Sequence, residues 1–187
     1  MRVILNKFND GAFFRRFFSI FLYILGVAWA IGGLIFAIYI ADGALRNAVG
    51  GFVAYIVFLP ILLIGLYMTV HAILLRARAI AGLPEAAYTV VPIFSVLLKL
   101  AGELGAICIL IAGIISGLTA WFGSGISGEG DYLPQSFRWL LGGRGFGAGL
   151  GGMAGGCILA TAWLTISYFL SEQIVALVDV AVSVKTR

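Results

Sequence analysis

FFSIFLYILGVAWAIGGLIFAIYI, residues 17–40, is a run of 24 residues without a charge. As an α-helix it measures ~36 Å at 1.5 Å per residue. That exceeds the roughly 30 Å hydrocarbon core of a bilayer, which needs about 20 mostly apolar residues. The charged residues ahead of this run, and Ala28-Trp29-Ala30 within it, have the outline of a cleavable export signal. A signal's apolar region covers only about 7–15 residues, whereas this one continues to Ile40. The segment therefore reads as a membrane helix.

Composition extends this reading to the whole chain of 187 residues. Hydrophobic residues make up 62% and charged residues 11%, where ordinary soluble domains carry about 25% charged. A soluble fold of this size could not hide so much apolar surface. A soluble enzyme, a disordered linker and a disulfide scaffold are excluded, and an integral membrane protein of one domain is expected. Cys108 and Cys157 both lie in apolar runs without a second ligand at metal-binding spacing, so they read as small buried apolar side chains. No cofactor is expected.

Three further spans follow at 52–75, 104–122 and 151–171, giving an all-α polytopic protein with four transmembrane helices. Pro60 stands inside the second span, where a kink is tolerable if neighbours satisfy the freed carbonyl. The third and fourth apolar stretches, 89–122 and 147–182, are too long for one crossing. Residues 89–103 are expected as an interfacial or cytoplasmic lead-in and 172–187 as a cytoplasmic helical tail. In that tail Ile174, Val175, Leu177, Val178 and Val182 fall near helical spacing, which gives it one packing face. Residues 1–16 form a cytoplasmic or interfacial segment.

The net charge of +4 would suggest a nucleic-acid partner if the basic residues formed a face. Instead Arg2, Lys7, Arg15, Arg16, Arg76, Arg78, Lys185 and Arg187 flank the spans on one side, eight of the twelve Lys and Arg. The other two connections hold Arg46, Arg138 and Arg144, offset by Asp42, Glu129 and Asp131. The positive-inside rule then puts both termini in the cytoplasm. Trp121, Tyr132, Phe137 and Trp139 gather near the opposite boundary like an aromatic belt. The expected surroundings are the lipid bilayer and other membrane subunits or copies of this chain, with no nucleic acid and no soluble substrate.

Glycine carries the most specific pattern. Nine of 26 glycines fall between Gly142 and Gly156. Gly143, Gly147, Gly151 and Gly155 recur every four residues, which predicts a helix face where another backbone approaches closely, in this chain, a copy or another protein. Residues 142–149 read either as helix or as loop, because glycine weakens a helix.

The halves of the chain are also alike. Phe18-Ser19 and Gly26 line up with Phe94-Ser95 and Gly102, Gly50-Gly51 with Gly151-Gly152, and Tyr67 with Tyr168. Two parallel helical-hairpin repeats would produce this, as would the chance likeness common among apolar segments. The last hairpin, ending in Ile174, Val175, Leu177, Asp179, Lys185 and Arg187, resembles small uncharacterised bacterial inner-membrane helical-hairpin proteins. That resemblance implies a bacterial inner membrane and no chemistry.

Four ionisable residues lie near the membrane: His71, Lys99, Glu103 and Glu172. Lys99 and Glu103 are spaced i, i+4 and share a helix face. They read either as a polar relay or as an interfacial salt bridge with solvated helix ends. Residues of this kind inside spans are functional candidates, but these four fall within a few residues of the cytoplasmic boundary and none at the midplane. No catalytic constellation is visible. The function expected is therefore non-catalytic: a structural or accessory subunit or scaffold of a membrane complex, acting through helix packing. The competing expectation is a small transporter or channel built from two parallel hairpins.

Overall fold

The computed structural model describes residues 12–46, 49–83, 90–122 and 146–185. They form four helices: α1 (Ala12–Arg46), α2 (Val49–Ala81), α3 (Val90–Phe122) and α4 (Phe146–Lys185). Among the described residues there is no strand. Each helix is long and apolar enough to cross a membrane, over Phe13–Tyr39, Ile56–Ala81, Val90–Leu118 and Phe146–Val178. The described residues are thus all-helical, in four helices each able to span a membrane.

The helices outrun the uncharged stretches, as expected for the third and fourth. α3 begins at Val90 and continues through Lys99 and Glu103 without a break, and α4 runs past Glu172 to Lys185. Pro92 falls in the first turn of α3, where its missing N–H would have had no intrahelical acceptor. Pro60 sits inside α2, which is helical on both sides of it. Helix α4 begins at Phe146, so Gly147 and Gly149 are helical. Gly143 and the connection at 123–145 lie outside the described residues, as do 1–11.

Two compact units divide the helices along their length. The first comprises Met1–Ala30, Thr69–Gly105 and Trp163–Arg187; the second comprises Ile31–Met68 and Ala106–Ala162.

In the first unit the core is Leu22 of α1, Ala72, Ile73, Ala77 and Ile80 of α2, and Ile93 and Leu100 of α3, ringed by Phe14, Phe18, Leu25, Val96 and Leu104. The buried residues of α2 recur at three- and four-residue intervals, the spacing of one helix face. Helix α4 joins through small side chains. Ser95 and Ser171 place their hydroxyls 2.6 Å apart, and Ser171 also donates to the Ser95 carbonyl at 3.1 Å. Gly102 faces Ser167, whose Cβ lies 2.5 Å from where a side chain on Gly102 would start. At the rim, Arg15 donates to the carbonyl of Leu83, just past the end of α2.

In the second unit α3 and α4 approach closest. A Cβ on Gly113 would lie 2.6 Å from the Cα of Gly156, and one on Gly156 would lie 2.7 Å from the Cα of Gly113. A Cβ on Gly117 would lie 2.6 Å from the Gly149 carbonyl oxygen, and one on Gly152 would lie 3.0 Å from the Ser116 hydroxyl. Where lipid surrounds the helices no hydrophobic force draws them together, so backbone contact supplies the dispersion energy and weak Cα–H···O bonds that hold them. Trp121 closes this seam: its indole stacks on Phe146 at 5.6 Å and donates to the Phe146 carbonyl at 3.1 Å.

These contacts put the intrachain packing on Gly149, Gly152 and Gly156, followed by buried Ala160. Gly147, Gly151 and Gly155 occupy a different face, where an added Cβ would meet nothing within 4 Å. The every-fourth row is not the face that α4 turns to α3. Of the positions aligned between the two halves, some have like surroundings and others do not. Ser19 and Ser95 are both buried, and Gly26 and Gly102 both sit against a neighbouring helix. Tyr67 and Tyr168 differ: Tyr67 is exposed in the second unit, and Tyr168 is part-buried in the first.

Candidate functional site

The charged cluster of the first unit is assembled from three helices. Arg76 lies on α2 in the same stripe as Ala72, Ile73, Ala77 and Ile80, so the helix turns it toward the core rather than away. Glu103 follows Gly102, the close-approach glycine of α3. Tyr168 follows Ser167, which faces that glycine, and precedes buried Ser171 by one turn. The absence of a side chain at Gly102 lets α3 and α4 come close enough for the longer groups beside it to meet.

The geometry is a closed ring. Arg76 Nε donates to Glu103 Oε2 at 3.1 Å, and a terminal guanidinium nitrogen of Arg76 pairs with Glu103 Oε1. That nitrogen also donates to the Tyr168 hydroxyl at 2.7 Å, and the hydroxyl donates to Glu103 Oε1 at 2.6 Å. The two-pronged guanidinium–carboxylate contact is the strongest arrangement open to this pair. Arg76 and Glu103 keep about a fifth of their side-chain surface, 22% and 21%. Desolvation therefore offsets part of their attraction, and water reaching the exposed fifth weakens it further.

Lys99 completes the cluster from one turn earlier on α3. Its ammonium lies 5.4 Å from the centroid of the Tyr168 ring, within cation–π range, and Arg76 Cζ lies 6.0 Å from the same centroid. Lys99 and Glu103 share a face, as their spacing predicted. The carboxylate, however, is engaged by Arg76 across the helix interface, and Lys99 turns to the aromatic ring. A flexible ammonium offers a point charge, whereas the planar guanidinium fork of Arg76 matches both carboxylate oxygens.

His71 and Glu172 are exposed on α2 and α4. The ring therefore joins Glu103 and Lys99, of the four ionisable candidates, with Arg76 and Tyr168. In the sequence Arg76 reads as a topological charge and Tyr168 as a repeat position. The signal for Arg76 was its helical phase, because it is flanked at three- and four-residue spacing by apolar core residues. Tyr168 carried no comparable signal.

Two cations, one carboxylate and a phenol make this cluster a fastener with one positive charge in excess. It can hold α2, α3 and α4 in register and can present that charge. Among the described residues no three His, Cys, Asp or Glu side chains gather to hold a metal ion. Cys108 and Cys157 are exposed on the spans, not buried as the apolar setting had suggested. No protein-family model matches the chain, and neither a curated protein nor a solved structure is significantly similar to it.

Proposed function

We propose that this chain is a non-catalytic accessory subunit or scaffold of a bacterial inner-membrane complex, with both termini in the cytoplasm. The observation that carries the reading is the division of labour among the glycines of α4. Gly149, Gly152 and Gly156 serve packing within the chain, while Gly147, Gly151 and Gly155 have open space before them. A helix that has already met its partner gains nothing from a second bare row, since glycine costs helix stability. A row of this kind suits close approach by a helix from another subunit or another copy. The Arg76–Glu103–Tyr168 ring supports the same reading, because its hydrogen bonds join helices of one unit to each other.

Purification in mild detergent from the native membrane, followed by mass spectrometry of what co-migrates, tests this. A stoichiometric foreign subunit or a defined oligomer is expected. Gly151→Leu should abolish that association while the helical content stays unchanged. An unchanged assembly would reject the role given to this face.

One observation favours a second reading, a small transporter or channel built from two hairpins. Charged groups within candidate spans commonly mark a pathway, and Arg76, Lys99 and Glu103 lie within such spans. Under that reading the purified chain alone moves an ion into liposomes, and Glu103→Gln stops it. Under the accessory reading the chain alone moves none.

A further inference from the structure

In the first unit the side chains described include five cations, Arg15, Arg16, Arg76, Arg78 and Lys99, against the carboxylates of Glu103 and Glu172. Glu103 is taken by Arg76 and Tyr168. Lys99 is held over the Tyr168 ring, with no carboxylate within ion-pair distance among the described residues. A part-buried ammonium whose obvious counter-ion is already saturated keeps its charge available to an anion from outside.

The depth of Lys99 indicates which anion. The uncharged part of α3, residues 104–122, is about 28 Å long at 1.5 Å per residue, close to the hydrocarbon thickness. Lys99 lies five residues, about 7 Å, beyond its edge. Arg76 on α2 and Glu172 on α4 each follow directly on the uncharged runs of their helices. The ammonium is thus level with lipid headgroups, with the Tyr168 ring as one wall and apolar Val96 beside it on α3.

We propose that Lys99, backed by Tyr168 and the saturated Glu103–Arg76 pair, is a binding point for a phosphate monoanion, supplied by the headgroup of an anionic phospholipid. Basic positions between transmembrane helices at headgroup level recognise such lipids through this chemistry. The Glu103–Arg76 ring is what makes Lys99 available: were Arg76 absent, Glu103 would capture the ammonium one turn away on its own helix. This inference does not depend on the accessory-subunit reading.

The test follows the thermal stability of the full chain in neutral detergent while phosphatidylglycerol, phosphatidylcholine or inorganic phosphate is titrated. Salt is kept at about 0.5 M, where contacts of fully exposed charges are screened. Phosphatidylglycerol should stabilise the protein and phosphatidylcholine should not. Lys99→Gln should raise the half-maximal phosphatidylglycerol concentration about fivefold, and Lys99→Arg should restore most of it. Arg78→Gln, the same charge change at an exposed position, should have little effect. Stabilisation by inorganic phosphate to the same extent would keep the anion site but make its source a soluble phosphate. Equal effects of Lys99→Gln and Arg78→Gln, or equal stabilisation by phosphatidylcholine, would overturn the proposal. Should Lys99→Gln fail to fold, Arg76→Gln serves instead: freeing Glu103 to capture Lys99 should weaken phosphatidylglycerol binding, and unchanged binding overturns the site.

Discussion

Glu103 has a lysine one turn away on its own helix and an arginine across an interface, and it pairs with the arginine. Helical spacing shows only which residues share a face, so it offered Lys99 as the partner. It could not show that α2 delivers a guanidinium fork to the same place, because that depends on how two helices meet. The energetic consequence is measurable. Glu103→Gln leaves Arg76 without its counter-charge in a part-buried setting and should lower stability by about 2 kcal/mol. A double-mutant cycle with Arg76→Gln, read by unfolding in detergent, should give a coupling of about 1 kcal/mol or more. A coupling near zero would show that the ring holds nothing together. Tyr168→Phe separates the two roles of the tyrosine. It removes the hydroxyl that bridges Arg76 and Glu103, which should cost about 1 kcal/mol. It leaves the ring under Lys99, so phosphatidylglycerol binding should persist.

At the scale of the element, α4 carries two rows of glycine, and only one of them packs within the chain. A strict four-residue repeat advances about 40° around a helix at each step. Gly147 and Gly155 therefore point about 80° apart, so this row slants around the helix. The row that packs within the chain, Gly149, Gly152, Gly156 and Ala160, is spaced three, four and four and stays nearly in line. It continues in the same phase to Ser167 and Ser171, both buried. That continuation was legible in the sequence, but the eye goes to glycines and passes over Ala and Ser, which do the same work. The two rows should respond oppositely to one methyl group. Gly156→Ala places its Cβ 2.7 Å from the backbone of Gly113, which has no side chain to move aside. It should destabilise by about 1–3 kcal/mol. Gly151→Ala opens into free space within the chain, so in the dissociated chain it should be neutral or gain up to about 1 kcal/mol of helix propensity. Thermal unfolding of the two variants side by side checks the assignment, and equal losses would contradict it.

For the molecule as a whole, the number of helices and their apolar character were legible because the bilayer leaves so few options: backbone polar groups must be satisfied within each segment. Twenty-four uncharged residues in a row can do little else. What composition could not convey is which small residues meet, since that is decided by the rotation of each helix about its axis. Orientation is a third matter, carried by the placement of basic residues and not by packing. It predicts a specific labelling pattern. Arg78→Cys places a thiol near the end of α2, on the side proposed as cytoplasmic, and Ser127→Cys places one in the connection between α3 and α4, on the opposite side. The native Cys108 and Cys157 fall within the candidate spans, where lipid shields them from a membrane-impermeant maleimide. In intact spheroplasts such a reagent should label the Ser127→Cys protein and spare the Arg78→Cys protein. Inverted vesicles should reverse the pattern. Labelling of Arg78→Cys from outside would turn the molecule over. The basic cluster of the first unit, and Lys99 with it, would then face the outer leaflet instead of the cytoplasmic one.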